Sequence, residues 1–471
     1  MIFRVIPFII LLHIWSLSLS GQSTVPNRKY HKIRYDDDFS FLRNDSLRKD
    51  FFDPIKFVPL SKDEVSYLSM GGEVRHQYQN YQNPEWEGTE DQDGHLLQRY
   101  MFHADFHFGR NFRLFSQVNS GISTGRTPEP RAIIDQNTFE VNQLFLEVKP
   151  FAQSGNTNLK KSNFGFRIGK MEETFGTARF IATREGQNVR RSFEGMQAFF
   201  DVRKWKVNIL ALNEVVSMPG AFDDFRDKDE VFAGIIASKK HDNGVTFEPY
   251  IFADFDKSYT IFFDTASQQR VSPGFRLFKK GKDNFRWNIE ATGQWAKFQK
   301  KDIYAWLIAA DLGYEFKKTA YRPYIGLSFS YATGDRDMKP GGVGTFDPFF
   351  PKAAFGQAIV FNPANLTQLH AEVSVLLAKN SRLTLSHDML FRTSAYDVFY
   401  DPCFYPVIPI TDKLGKLRHI GDQTKIELKY NFGRHYFMVV EYAIFPPGDF
   451  LGEMERTDVL NYFSTKSIIR F

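Results

Sequence analysis

The sequence predicts an all-β protein: a transmembrane antiparallel β-barrel of about eighteen strands with a short periplasmic N-terminal arm. Three observations predict it. Alternating apolar and polar runs repeat from Leu68 to Phe471. The connections between these runs are short and long by turns. The composition combines 16% aromatic residues, with 50 Phe among them, and a mean hydropathy of −0.36. An apolar outside around a wet inside produces that mixture by construction.

Residues 1–21 read as a secretory signal peptide: Arg4 forms the positive n-region, Val5 to Leu19 the apolar core, and Ser18, Ser20 and Gly21 the small residues before the cut. No later stretch approaches eighteen uninterrupted apolar residues, so no transmembrane helix is expected. The single cysteine, Cys403, excludes an internal disulfide and lies far from any lipid-attachment position. The net charge of +5 is too small to imply nucleic-acid binding. No cofactor motif occurs. Residues 22–66 are charged and lack clean alternation, and they read as a periplasmic arm packing at the lower rim of a 67–471 barrel.

Strands are expected near 68–81, 96–108, 112–123, 138–149, 163–171, 192–202, 204–216, 229–240, 245–256, 270–280, 284–298, 303–317, 321–333, 365–378, 382–393, 417–431, 435–445 and 461–471. Tight turns such as Gly109-Arg-Asn111, Arg203-Lys204, Lys379-Asn-Ser381 and Gly433-Arg-His435 follow every second strand. Long connections (82–95, 124–137, 172–191, 334–364, 394–416, 446–460) fill the alternate positions. Short periplasmic turns and long extracellular loops are the habit of outer-membrane barrels. The last segment alternates to Phe471, an aromatic suited to the closing strand, the interfacial girdle and membrane assembly. Outer-membrane lipid and the barrel-assembly machinery are therefore expected partners.

Strand faces separate well. In 284–298, Phe285, Trp287, Ile289, Ala291 and Trp295 oppose Arg286, Asn288, Glu290, Thr292 and Gln294. A charge on the lipid face costs roughly 2–4 kcal/mol at mid-membrane, so the polar face points inward. The inward set then includes Arg75, Arg99, Arg113, Arg167, Arg276, Arg286 and Arg392. The loop Thr183-Arg-Glu-Gly-Gln-Asn-Val-Arg-Arg-Ser-Phe-Glu-Gly195 adds Arg184, Arg190 and Arg191. Such a basic loop entering the lumen would build a constriction favouring anions, since guanidinium pairs with carboxylate through two hydrogen bonds. The structural alternative is that these arginines brace the wall against lumen acids. Asp335, Asp337 and Asp347 are weak Ca²⁺ candidates, since loop Asp residues commonly serve turns.

Several stretches resemble the alginate-export (AlgE-like) outer-membrane barrel family. They are Arg34-Tyr-Asp-Asp-Asp38 with Lys56-Phe-Val-Pro-Leu60, Ser69-Met-Gly-Gly-Glu-Val-Arg75, Leu97-Gln-Arg-Tyr-Met-Phe-His-Ala-Asp105, and Thr183 to Gly195. Tyr331-Ala-Thr-Gly-Asp-Arg-Asp337 with Gly344-Thr-Phe-Asp-Pro-Phe-Phe-Pro351, and Phe445-Pro-Pro-Gly-Asp-Phe-Leu451, follow in order. The resemblance implies an outer-membrane barrel of about eighteen strands exporting an anionic polysaccharide through an arginine-rich pore. The late turn Gly433-Arg-His435 is too short for the periplasmic plug expected of a dedicated alginate exporter. The expectation is therefore a non-enzymatic channel for anionic solutes or a polyuronate. The alternatives are a binding or structural barrel and, less favoured, a lipase. Ser386-His387 cannot serve the lipase, because adjacent strand residues face opposite ways.

Overall fold

The computed structural model describes residues 28–88, 94–127, 129–131, 133–152, 162–261, 264–280, 283–299, 301–336, 344–352, 361–401, 406–408 and 414–471. The expected signal peptide, Asp337 and Cys403 lie outside the described residues. Eighteen long strands build one sheet. They are β1 Tyr67–Gln82, β2 His95–Phe108, β3 Phe112–Thr124, β4 Asn137–Val148, β5 Gly165–Met171 and β6 Phe193–Val202. Next come β7 Trp205–Val216, β8 Glu230–Lys240, β9 Val245–Ile261, β10 Asp264–Lys279, β11 Phe285–Phe298 and β12 Lys301–Glu315. The last six are β13 Tyr324–Ala332, β14 Leu366–Ala378, β15 Ser381–Arg392, β16 His419–Phe432, β17 Tyr436–Phe445 and β18 Leu460–Arg470.

Each strand pairs antiparallel with its neighbour in sequence, and β18 returns to β1 with Arg470 opposite Glu73 and Asn461 opposite Gln82. The sheet closes on itself, so no edge is left in a medium without hydrogen-bond partners. Most boundaries fall within two residues of expectation. The largest departure is the β9–β10 hairpin: it runs on through Tyr259↔Ala266 to Ile261↔Asp264, past a register shift after Asp256, where a loop was expected; β13 also starts three residues late, at Tyr324.

The expected faces are observed. Ile289, Trp295, Trp306, Ile308, Leu312 and Leu327 are exposed on the outer wall, while Arg99, Gln117, Glu290 and Gln294 are buried within. The lumen is not uniformly wet, however. Phe115, Phe145, Phe193, Leu212, Phe232, Phe252 and Leu307 point inward and form a core with Phe180, Ile181, Phe346 and Phe350 from the long connections. A second core of Trp86, Phe399, Phe445, Phe450 and Leu451 ties the extracellular loops together over β14–β18.

The arm departs from the expected rim position in its first part. Residues 39–59 do pack at the periplasmic end, where Phe39, Leu42 and Phe57 cluster with Tyr67 and Val58–Pro59 pairs with Tyr67–Leu68. Tyr35, by contrast, packs edge-on against the stacked lumen-facing pair Phe115 and Phe145. Phe471 stacks on Phe52 of the arm at 5.3 Å, and its backbone bonds to Gly72.

Gly169 stands at a strand position that requires glycine. Gly169 has φ +133, and a Cβ there would meet the Leu144 carbonyl oxygen at 2.3 Å and the Phe145 Cα at 2.9 Å. Gly169→Val should destabilise the barrel by about 1–3 kcal/mol. Heating before electrophoresis reads this: the folded, fast-migrating band should disappear at a lower temperature than in the parent, and an unchanged temperature would contradict the assignment.

Candidate functional site

The connection from β5 to β6 folds into the lumen and is built around arginine. Arg75 and Arg99 face each other across β1 and β2, a like-charge pair that is unfavourable by itself. Glu73 offsets it, accepting from Arg99 Nη2 at 2.5 Å and from Arg470 Nε at 2.8 Å. The remaining donors take loop backbone: Arg75 bonds Glu185 O at 3.0 Å and Gln187 O at 2.5 Å, and Arg99 bonds Gln187 O at 3.0 Å. The Asn188 amide then donates to the carbonyls of Gln98, Ile122 and Asp135, which pins the loop to the wall.

The three loop arginines are paired. Arg190 grips both Glu172 oxygens at 2.8 and 2.6 Å and also binds Glu185. Arg184 and Arg191 share Glu214 at 3.2 and 2.5 Å. The loop thus enters the lumen, but Arg190 and Arg191 are buried in ion pairs rather than presented to a solute. Arginines of the wall are partnered too. Arg113 is held by Asp105 and Arg167 by Glu147, while Arg276 bonds Glu248 and Asn288. Arg392 donates to the carbonyls of Ala395, Asp397, Gly415 and Leu417 beneath Phe450, and so fastens the extracellular loops. Removing one partner of such a buried pair strands the other charge, which costs about 3–5 kcal/mol. Of the ten arginines expected in the pore, only Arg184 and Arg286 line the open cavity.

That cavity, of about 730 Å³, lies between the inserted loop and the β11–β16 wall. Its cations are Arg131, Arg184, Arg286, Lys352, Arg382, Lys425 and Lys429, against the acids Asp311, Glu315, Glu372 and Glu427. Some of these charges are paired: Arg382 with Glu315 at 3.5 Å and Lys429 with Glu427 at 2.6 Å. His370 lines the cavity too and bonds Asp388 at 2.7 Å. Neither Lys352 nor Lys425 has an acid within ion-pairing distance among the described residues. Removal from bulk water lowers the Lys352 pKa, and Lys32, Lys425, Arg179 and Lys429 around it lower it further. Lys352 and Arg382 were not singled out from the sequence. Arg382 lies on the inward face of its strand and was findable by parity; Lys352 sits in an irregular connection that carries no periodic signal.

The described Ca²⁺ candidates, Asp335 and Asp347, accept hydrogen bonds from the protein. Asp347 accepts from Tyr259 at 2.7 Å and from the Phe349 N–H at 2.8 Å, and Asp335 accepts from the Arg336 N–H at 2.7 Å. Among the described residues no group of three His, Cys, Asp or Glu side chains is arranged to hold a metal. Ser386 is buried on the lumen side, whereas His387 is exposed on the outer wall and bonds Thr424.

The arm meets the loop at a titrating group. The Tyr35 hydroxyl donates to Glu172 O at 2.8 Å and lies 3.1 Å from Glu173 Oε1. Burial pushes the Glu173 carboxyl up to about 7; Asp36 and Glu172 add to the shift, and Arg167 opposes it. With the arm docked, Glu173 of the connection holds a proton that it releases where withdrawal of the arm returns it to water and to the ordinary 4.5. This contribution to docking is complete below about 4.5 and lost as pH rises through about 7. In detergent, tryptic cleavage after Lys32 and Arg34 should therefore accelerate across that interval in the parent. Glu173→Gln should flatten the dependence, and a parent without it would refute the assignment.

The comparisons accord with this architecture. The Acinetobacter baumannii protein OccAB1 superposes with a TM-score of 0.57 at 10% identity, covering 89% of this chain and 99% of that one. OccAB2 of the same species gives 0.56 at 9% identity over 85% and 98%. Pseudomonas aeruginosa OccK11 (OpdR) gives 0.51 at 9% identity over 86% and 96%. At these identities the likeness shows the fold, an outer-membrane barrel of the porin kind. No curated protein matches the sequence significantly. The alginate export family model matches residues 66–463, nearly the whole described barrel, and the chain belongs to that family.

Proposed function

We propose that this protein is an outer-membrane channel for anionic solutes, with uronic acids and their oligomers as the favoured class. The observation that carries the reading is the pair of cavity-wall cations without an acid at ion-pairing distance among the described residues, Lys352 and Lys425, with Arg286 on the same wall and Lys32 acting on Lys352. Fixed positive charge in a confined aqueous passage raises the local anion concentration and repels cations. Hydroxyl and amide groups among the charges, from Gln368, Ser374, Thr384 and Tyr324, suit a polyhydroxylated solute. Family membership supports a polyuronate in particular, because the family is named for alginate export.

The reading assigns selectivity to lysines and to Arg286, and assigns most of the other arginines to holding the loops. In planar bilayers under a salt gradient, the parent should show a reversal potential of anion-selective sign. The variant Lys352→Gln/Lys425→Gln/Lys429→Gln should move it toward zero. The change should be largest at low salt, since charge is screened over roughly 8 Å at physiological ionic strength. Identical reversal potentials in parent and variant would remove the reading's support.

A further inference from the structure

Residues 32–37 lie inside the barrel without joining the sheet, whereas Arg28 and Tyr30 stay with the rim, Arg28 ion-paired with Asp53 and Tyr30 packed near Phe39 and His435. The arm's ladder pairing is Val58–Pro59 with Tyr67–Leu68, far along the chain from Tyr35. Side chains hold the inserted part instead. The Tyr35 ring stands edge-on to Phe145 at 5.2 Å and to Phe115 at 5.9 Å, with the Arg167 guanidinium 4.4 Å from its centroid. Arg113 donates to the Tyr35 carbonyl at 2.6 Å, and Arg190 donates to the Lys32 carbonyl at 2.9 Å. The finger thus bridges the β3–β5 wall and the inserted loop.

Docking leaves charge under strain. Arg34 Nε and Lys56 Nζ are buried without a hydrogen-bond partner among the described residues, although Arg34 Nη2 pairs with Asp37 Oδ2 at 3.3 Å and donates to the Phe471 carbonyl. Lys32 lies among the like charges around Lys352. Water would solvate all of these groups if the finger withdrew, so the docked state gives up solvation that the free state keeps. Residues 39–57, packed at the rim with Phe39, Leu42 and Phe57 buried, anchor the finger without following it.

We propose that residues 32–37 are a displaceable plug, and that their withdrawal opens the periplasmic half of the channel. This rests on the channel reading and adds a gate to it. The plug carries Lys32 to the same cation set that a solute anion would meet, so the solute held back touches the element that holds it back.

Single-channel recording on the refolded barrel tests the proposal, with heat-modifiable migration proving that each variant is folded. Removing residues 22–37 should raise the unitary conductance several-fold over the parent. Equal conductance in the two would overturn the plug. If the deletion does not fold, Tyr35→Ala decides: visits to a larger conductance level absent from the parent support the plug, and the parent's level alone overturns it. Reversal potentials from the same records separate the two readings. A larger conductance without anion preference sinks the anion channel and keeps the plug, whereas anion preference with unchanged conductance does the reverse.

Discussion

A bilayer core offers no hydrogen bond to a peptide group, and this constraint orders the rest of the molecule. Eighteen strands satisfy it by closing β18 on β1. Closure divides every strand into a lipid face and a lumen face, and lipid rejects charge, so nearly all ionisable side chains of the wall are forced inward together. The lumen then carries a second problem that the backbone does not solve: a crowd of cations and acids in a confined space.

Arginine and lysine answer it differently. A guanidinium presents five donors in a planar fork, enough to satisfy an acid and several carbonyls at once. Arg99 does so, while Arg75 and Arg392 each bond several carbonyls and Arg190 bonds two acids and a carbonyl; each fastens a piece of irregular chain to the wall or to another loop. The long connections can therefore fold inside the barrel with their backbone groups paired. Lysine is a point charge without that fork, and Lys352 and Lys425 stay facing the cavity. The property that makes arginine a good carboxylate ligand also makes it a good internal staple, and here stapling claims most of the set.

The strands were legible because their signal is local. Period-two alternation is enforced residue by residue by the lipid, and tight turns such as Gly433, with φ +71, mark the ends. The signal fades where lipid stops acting. Beyond Asp256 the β9–β10 hairpin continues outside the apolar band, and Tyr259-Thr-Ile261 against Asp264-Thr-Ala266 carries no inside–outside pattern to read. For the same reason inward-facing Phe115, Phe145 and Phe232 escape a rule that sends apolar side chains outward: they meet folded chain in the lumen, not water.

The sequence by itself determined the barrel, its strand number and inside–outside order, and the presence of a basic loop able to enter the lumen. Those features follow from near neighbours along the chain and from one uniform solvent. Which cations stay free was decided only by the tertiary structure, because a pair such as Arg190–Glu172 or Arg191–Glu214 depends on where a loop comes to rest, not on its composition. Tyr35 shows the same limit. Nothing in a charged, aperiodic arm states that its tyrosine packs edge-on against Phe115 and Phe145, a stacked cross-strand pair on neighbouring strands that the arm reaches only inside the closed barrel.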